Sequence, residues 1–176
     1  MNKYFLDTKS LGEFCPRLRA GDRVFLSGEV YTARDAAHKR IVDSMENGGN
    51  LPFEIKGAVI YYAGPTPAPE GLPVGSFGPT TSARMDKYTP KLLSMGLTAT
   101  IGKGERSKEV REAIKANGSV YLCAIGGAGA IACRHILKCE VVSYEDLGCE
   151  SVKRLTFDKF PLIVGIDSLG ESIFDR

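Results

Sequence analysis

The chain has no tryptophan, only two histidines, and no pair of its five cysteines with C-x-x-C spacing. Neither His38 nor His135 lies in an H-E-x-x-H motif or another zinc-binding pattern. The position of His38 is more typical of a structural or exposed residue than of a ligand or base. An odd number of cysteines without such spacing is typical of reduced, partly buried thiols. We therefore expect no metal or cluster site built from this chain alone.

Long hydrophobic runs are also missing. No stretch approaches the ~20 apolar residues that span a bilayer. The longest runs, residues 58–63 and 162–166, have the length of strands. The N-terminus shows neither the apolar core nor the small-residue cleavage site of a signal peptide. We therefore expect a cytoplasmic protein.

The chain also has no excess of charge of one sign. Its 23 basic and 21 acidic side chains leave a net charge of +2 and are mixed along the sequence. Nucleic-acid binding depends on clustered basic side chains, so it is not expected as the main role. A length of 176 residues with 43% hydrophobic content fits one domain, residues 1–176, with a real core.

Strand and helix patterns alternate about four times and are followed by a strand-rich tail. This order predicts an α/β fold with a mainly parallel central sheet. The pattern does not choose between a second layer and a hairpin for the closing strands. Strands are predicted over residues 23–31, 56–63, 97–101, 120–125, 140–143, 151–157 and 162–167. Helices are predicted over residues 33–46, 107–116 and 130–136, and a further helix is predicted to start near residue 80.

Local signals set several element ends. Thr32 and Ser107 are the expected N-caps of two helices, and Gly118 is expected to end the second. Gly28 predicts a bulge or bend within its strand. Pro90 predicts a kink, or a break into two short helices, in the segment that starts near residue 80.

The predicted strands are followed by loops rich in Gly, Pro, Thr, Arg and Lys. In a parallel sheet such loops lie together at the carboxyl edge, where α/β folds bind ligands and helix N-termini attract anions. Three cationic side chains there would suit a small di- or tricarboxylate or a phosphate, and composition does not choose between them. The loops are residues 31–35, 64–66, 78–84, 102–104 and 126–129, the last a weak anion-loop signal.

Each of these side chains has a simpler interpretation. Arg34 and Asp35 could be a solvated helix start, and Thr80 could be only an N-cap. Arg84, in the first turns of a helix, could be a surface charge. Lys103 between two glycines could belong to an ordinary turn.

Four strings in order carry a resemblance to a known family. They are TARDAAHKR (32–40), GAVIYYAGPTP (57–67), GPTTSARMDKYTPKLL (78–93) and IGKGERSKEV (101–110). Together they resemble the C-terminal or β half of class I, iron–sulfur dependent fumarases, with the related L-tartrate dehydratase β subunits. The resemblance covers residues 21–166, nearly the whole chain.

The resemblance implies a hydro-lyase that adds water reversibly to fumarate and forms (S)-malate, a reaction of the tricarboxylic acid cycle. It implies a swivelling β/β/α domain that binds no metal itself. A [4Fe–4S] cluster would be held by cysteines of a separate α subunit, with one iron free as a Lewis acid. The partners implied are that α subunit, a small dicarboxylate substrate, and further copies of the same chain.

In the family, four motif positions face the substrate, and here they are Arg34, Thr80, Arg84 and Lys103. The three cations would fix the carboxylates and stabilise the charge of an intermediate. Thr80 would transfer the proton at the malate carbon, which requires stabilisation of its alkoxide. Asp35 is expected to orient Arg34 by an ion pair and to contribute to substrate binding.

Two other functions remain open at this stage. The same architecture could act on tartrate or on a methylated fumarate. A non-catalytic anion-binding module could keep the loops without a cluster-bearing partner, although such a module has little need of all four site residues.

Overall fold

The computed structural model describes residues 1–124 and 132–175 of the chain. Within these residues, seven strands form one sheet, with four α-helices and four 3-10 turns between them. The strands are β1 (Lys3–Asp7), β2 (Arg23–Thr32), β3 (Val59–Tyr61), β4 (Ala99–Gly102), β5 (Val120–Cys123), β6 (Ile136–Ser143) and β7 (Val152–Ile166). The helices are α1 (Thr8–Phe14), α2 (Asp35–Glu46), α3 (Thr89–Ser94) and α4 (Lys108–Asn117), and the 3-10 turns are Cys15–Arg17, Ser82–Met85, Cys133–His135 and Glu145–Glu150.

The sheet is mixed and closes on itself. Strands β1 to β5 are parallel neighbours in chain order. Strand β7 runs antiparallel to both β5 and β2, which closes a small barrel, and β6 adds to β7 as a hairpin. The α/β prediction is confirmed. A mainly parallel sheet is not confirmed, because three of the seven pairings in the described residues are antiparallel.

Strand β7 can close the barrel because it is long enough to pair with two strands. It pairs with β2 from Lys153 to Ile163, with Leu155 opposite Val30, and its last residues pair with β5. Lys159 adopts a φ of 48° near the middle of β7, where the register with β2 shifts. The predicted bulge is confirmed in β2, since the register shifts between Leu26 and Gly28, and Gly28 has a φ of 103°.

Alternation along the strands produces two hydrophobic cores. One face of the barrel strands, including Val30, Tyr61 and Leu155, belongs to the core inside the barrel. The other face, including Ile60 and Tyr121, packs against the helices. The helices therefore cover the outside of the barrel.

Helices α2 and α4 each bury a stripe with helical spacing. Ala37 and Ile41 lie four residues apart on α2, and Val110 and Ile114 do so on α4. All four side chains are fully buried in the outer core. No helix in the described part of the chain combines the length and the apolar character needed to cross a membrane.

The predicted caps had different outcomes. The Ser107 hydroxyl accepts a hydrogen bond from Val110 N at 3.3 Å, and Gly118 ends α4 with a φ of 63°, so both predictions are confirmed. The Thr32 cap is wrong. Thr32 is the last residue of β2, and its Oγ1 accepts a hydrogen bond from Lys153 N at 3.1 Å in the buried β2–β7 contact.

Other predicted elements are shorter, merged or divided. The segment from residue 80 does break in two, with Pro90 in the first turn of α3. The strands predicted over 151–157 and 162–167 are the single strand β7, because its pairing with β2 continues from Phe157 to Phe160 across the register shift. Elements β1 and α1 were not anticipated.

Part of one prediction lies outside the described residues. The glycine run 126–129 and the start of the helix predicted over 130–136 are among residues 125–131. Of that helix, the described residues Cys133–His135 form a 3-10 turn, and Ile136 already begins β6.

Candidate functional site

Three parallel strands deliver the predicted site residues to one edge of the barrel. Arg34 comes two residues after β2, and Lys103 directly follows β4. Thr80 lies in the long connection that follows β3. Because parallel strands end at the same edge of the sheet, the three chain segments approach one another there.

Backbone hydrogen bonds attach the Thr80 loop to two of these strand ends. Thr80 N donates to Tyr62 O at 2.7 Å, just beyond β3. Thr81 forms a parallel bridge with Lys103, and Ser82 N donates to Lys103 O at 2.9 Å. Thr80 and Lys103 are therefore brought together by main-chain contacts, which do not depend on flexible side chains.

Arg84 forms a two-point ion pair with Asp35. Arg84 Nε donates to Asp35 Oδ1 at 3.0 Å, and Nη2 lies 2.8 Å from Oδ2. The expected ion pair between Asp35 and Arg34 is wrong, because the Asp35 carboxylate at the start of α2 faces the 3-10 turn that carries Arg84. Half of the Arg84 side chain (51%) stays exposed, so a ligand can reach it.

Arg34 has a different acidic partner. Its Nε lies 3.3 Å from Glu150 Oε1, an ion pair without hydrogen-bond alignment. The guanidinium also packs on Gly64, where an added Cβ would lie 3.1 Å from Arg34 Nη1 and 3.0 Å from Cys149 O. Gly64 therefore permits the close approach of Arg34 to the chain after β3.

The site is positively charged in sum. Arg34 and Arg84 are each paired with one carboxylate, whereas the exposed Lys103 ammonium has no acidic partner in residues 1–124 and 132–175. Three cations thus face two carboxylates, and the N-terminus of α2 begins at Asp35 in the same place. Such an arrangement favours a small anion.

His38 supports the site from below. Its ring is fully buried between Tyr62 and Tyr88, and Nδ1 lies 2.9 Å from Arg34 O. Burial lowers the pKa of His38 to about 4, so the ring is neutral and Nδ1–H donates to that carbonyl. Its role is structural, one of the two interpretations of the sequence.

A fourth cation, Arg106, lies beneath the loops with a side chain that is 0% exposed. Its Nε donates to Asp86 Oδ1 at 2.7 Å, and Nη2 donates to Thr89 Oγ1 at 2.8 Å. Nη1 donates to Thr100 Oγ1 at 3.1 Å. This guanidinium is bound entirely by the chain itself and cannot contact a ligand.

A cleft of about 270 Å³ lies beside the Arg34 contact, not over it. Prolines after β3 line one wall, and Cys139, Cys149 and Lys153 line the other. Burial lowers the pKa of Lys153, and its ammonium donates to Ser151 Oγ at 2.7 Å and Cys149 O at 3.1 Å. Since these donors are already used, Lys153 offers a ligand in the cleft no free hydrogen-bond donor.

The cysteines are distributed through the structure. Burial raises the pKa of Cys15 to about 11, and Cys149 is exposed. In the described ranges, 1–124 and 132–175, no three His, Cys, Asp or Glu side chains are grouped so that they could hold a metal ion. These residues do not fit a [4Fe–4S] cluster, and the expectation that this chain binds none stays a prediction.

The comparisons with known proteins agree on one family. The family model described as Fumarase C-terminus matches residues 2–176. The chain belongs to the fumarase C-terminal family. Fumarate hydratase 2 of Leishmania major is 41% identical over 158 residues, and class I aerobic fumarate hydratase of Escherichia coli (strain K12) is 39% identical over 156 residues.

The fraction of each relative's length that matches this chain differs. The match covers 89% of this chain and 28% of the Leishmania protein, and 88% of this chain and 28% of the Escherichia coli protein. The putative L(+)-tartrate dehydratase subunit beta of Methanocaldococcus jannaschii is 37% identical over 166 residues, covering 91% of this chain and 85% of that protein. This member of the fumarase C-terminal family thus spans little more than a quarter of those two hydratases.

Sequence reasoning found the residues at the surface of this fumarase C-terminal domain and missed those that hold them. Asp86 and Arg106 lie inside the motif strings, two residues from Arg84 and one residue from the capping Ser107, and could have been noticed there. Glu150 carries no comparable signal, because its 3-10 turn meets Arg34 only after β7 has paired with β2.

Proposed function

We propose that this chain is the β subunit of an iron–sulfur hydro-lyase that hydrates fumarate reversibly to (S)-malate. One observation carries the proposal: Arg34, Thr80, Arg84 and Lys103 lie on loops that meet at one edge of the barrel. Membership of the fumarase C-terminal family supports it. The chain would act as one swivelling β/β/α domain, residues 1–176, built on the mixed sheet.

The three cations would bind the two carboxylates of the substrate. Arginine can bind a carboxylate through two parallel hydrogen bonds. Arg84 already faces a carboxylate in this way, with one hydrogen bond to Asp35 Oδ1 and one close ion contact to Oδ2. A substrate carboxylate would take the place of that pairing or share it, and Asp35 and Glu150 would hold the empty arginines in position. Lys103, with no acidic partner among the described residues, would supply the remaining charge that stabilises the intermediate.

Thr80 would move the proton at the malate carbon. Its backbone is fixed by the 2.7 Å hydrogen bond to Tyr62 O, so its hydroxyl starts from a defined place. A threonine hydroxyl is a weak base, and nearby positive charge stabilises its alkoxide. Lys103 supports that role, because its backbone forms a bridge with Thr81, the residue that follows Thr80.

The other half of the site would come from a partner. The aligned hydratases have further length beyond the part matched here, which leaves room for a cluster-bearing half. We propose that an α subunit holds the [4Fe–4S] cluster and that the two chains form a heteromer, with additional contacts between copies of this chain. The cytoplasmic location expected from the sequence stays a prediction.

A second substrate class is favoured by one relative. The tartrate dehydratase β subunit of Methanocaldococcus jannaschii matches this chain over 85% of its own length, so the two chains have comparable extents. Tartrate carries two carboxylates, as fumarate does, and the same cations could bind it. A methylated fumarate would require the same contacts.

The test is anaerobic co-expression with a candidate α-type subunit, followed by fumarate hydration measured by ultraviolet absorbance. The wild-type pair should be active and the isolated chain should not. Thr80→Ala should lower kcat by about 10²–10⁴-fold, the usual contribution of a proton-transfer group. Thr81→Ala is the matched control, because its side chain is exposed, and it should change kcat by no more than about twofold.

The other outcomes are equally informative. A pair that acts only on tartrate or a branched acid keeps the reaction class and changes the substrate. Equal activities of Thr80→Ala and Thr81→Ala would remove Thr80 from the chemistry. Failure to form any pair would favour a non-catalytic anion-binding module.

A further inference from the structure

A buried guanidinium joins the elements that carry the site. Arg106 donates to Asp86, Thr89 and Thr100 and, through Nη2, to Tyr62 Oη at 3.3 Å. These partners belong to the 3-10 turn region, to α3, to β4 and to the chain just beyond β3. One side chain therefore fixes four segments at once.

Two tyrosine rings enclose the same guanidinium. The Arg106 Cζ lies 5.3 Å from the ring centre of Tyr62 and 4.9 Å from that of Tyr121. The hydroxyl of Tyr121 lies 2.9 Å from Ser82 Oγ and donates to Gly104 O at 2.9 Å. Ser82 and Gly104 are direct neighbours of the loops that present Thr80 and Lys103.

Asp86 completes the connection from the opposite side. Its Oδ1 accepts from Arg106, and its Oδ2 accepts from Ser107 N at 2.6 Å, at the cap of α4. Asp86 also ends the 3-10 turn that carries Arg84, two residues away. The distance between the Arg84 turn and the chain after Lys103 is therefore set through this one carboxylate.

We propose that Arg106, held by Asp86, is a positioning residue that fixes the loops of Arg84 and Lys103 relative to each other. The inference rests on the proposed function, because it assigns a catalytic consequence to that placement. The planar guanidinium directs its donors to fixed points, and a lysine ammonium cannot reach the same four acceptors. Loss of the guanidinium would also leave the Asp86 carboxylate, only 12% exposed, without its cation.

The test is a double-mutant cycle in the complex with the α-type subunit. Arg106→Lys should lower kcat/KM by about 10–100-fold, the cost of a small misplacement in a preorganised site. In a Lys103→Ala background, Arg106→Lys should lower kcat/KM by less than about threefold, because the side chain that Arg106 helps to place is gone. Arg154→Lys, at a partly exposed ion pair with Glu140 away from the site, is the control and should change kcat/KM by no more than about twofold.

A merely structural role gives a different result. It would lower kcat/KM by the same factor in both backgrounds, and that result, or an unchanged rate for Arg106→Lys, overturns the proposal. If Arg106→Lys fails to fold, Asp86→Asn takes its place in the cycle. The amide keeps the size of the side chain. Asp86→Asn should likewise lower kcat/KM less in the Lys103→Ala background than in the wild-type background.

Amide hydrogen exchange in the chain without its partner separates this inference from the proposed function. The Thr80 and Ser82 amides donate to Tyr62 O and Lys103 O, and they should exchange about tenfold faster in Arg106→Lys than in wild type. The Arg154→Lys control should match wild type at both amides. If the wild-type complex is inactive on fumarate and tartrate, the proposed function fails while faster exchange still supports loop positioning. Unchanged exchange at both amides overturns the inference whether or not the complex is active.

Discussion

At the scale of single residues, the candidate site depends on which charges are paired before a ligand arrives. Arg84 pairs with Asp35, and Arg34 pairs with Glu150, so both arginines are held in place while remaining partly exposed. Such prepaired arginines lose little conformational freedom when they bind an anion. The pairing itself could not be derived from the sequence, where Asp35 is adjacent to Arg34 and far from Arg84.

His38 predicts a pH dependence of stability. Burial lowers its pKa in the folded chain to about 4, below the 6.5 of an ordinary histidine. Between these values the unfolded chain binds a proton that the folded chain does not, so the free energy of unfolding falls as the pH decreases. From pH 7.5 to pH 4.5 the loss from this group should be about 2–3 kcal/mol, measured by urea denaturation.

Substitution isolates this contribution from that of the carboxylates, which also titrate at low pH. His38→Phe keeps a neutral ring between the tyrosines. It should reduce the fall in the free energy of unfolding between pH 7.5 and pH 4.5 by the contribution calculated for His38. His135→Phe changes the other histidine, which contacts Asp158 O near the surface, and should retain the wild-type slope. A wild-type slope in His38→Phe would show that the buried ring does not control acid stability.

At the scale of elements, the end of β4 requires glycine for a close approach. A Cβ on Gly102 would lie 1.9 Å from Ser82 Oγ and 2.9 Å from Tyr62 Cδ2. Ser82 cannot retreat freely, because its hydroxyl is paired with Tyr121. The glycine before Lys103 therefore lets the Thr80 loop lie directly against β4.

Gly102→Ala should lower the free energy of unfolding by about 1–3 kcal/mol, the usual cost of overpacking, and should reduce activity of the complex by displacing Lys103. Gly78→Ala is the control in the same region, because an added Cβ would meet nothing within 4 Å there. It should stay within about 0.5 kcal/mol of wild type. Urea denaturation and the hydration assay measure both effects, and equal stabilities of the two variants would contradict the packing argument.

Local signals located most elements but not all of their limits. The α4 helix follows from Ser107 and Gly118, which act within one turn of the chain and need no distant partner. Thr32 was misassigned because the same hydroxyl can cap a helix or satisfy a neighbouring strand. Its real partner, Lys153 N, lies 121 residues away.

At the scale of the whole molecule, stability depends on closure of the barrel by β7. Leu155 is fully buried opposite Val30 in the interior core. Leu155→Ala should lower the free energy of unfolding by about 3 kcal/mol, because the cavity forms where β2 and β7 meet. Leu137→Ala, on the adjacent strand β6 and 63% exposed, should change it by no more than about 0.5 kcal/mol in the same urea titration. Similar losses in both variants would show that the barrel interior is not the principal core.

The sequence by itself determined the α/β class, the order of the elements around the site, and the four motif residues that reach one edge. Those features depend on local propensity, on glycine and proline, and on motifs of adjacent residues. Only the tertiary structure decided the mixed, closed sheet, the pairing of Asp35 with Arg84, and the burial of Arg106. The reason is physical: each depends on contacts between segments that are separated in the chain and meet only when the strands pair and the loops pack together.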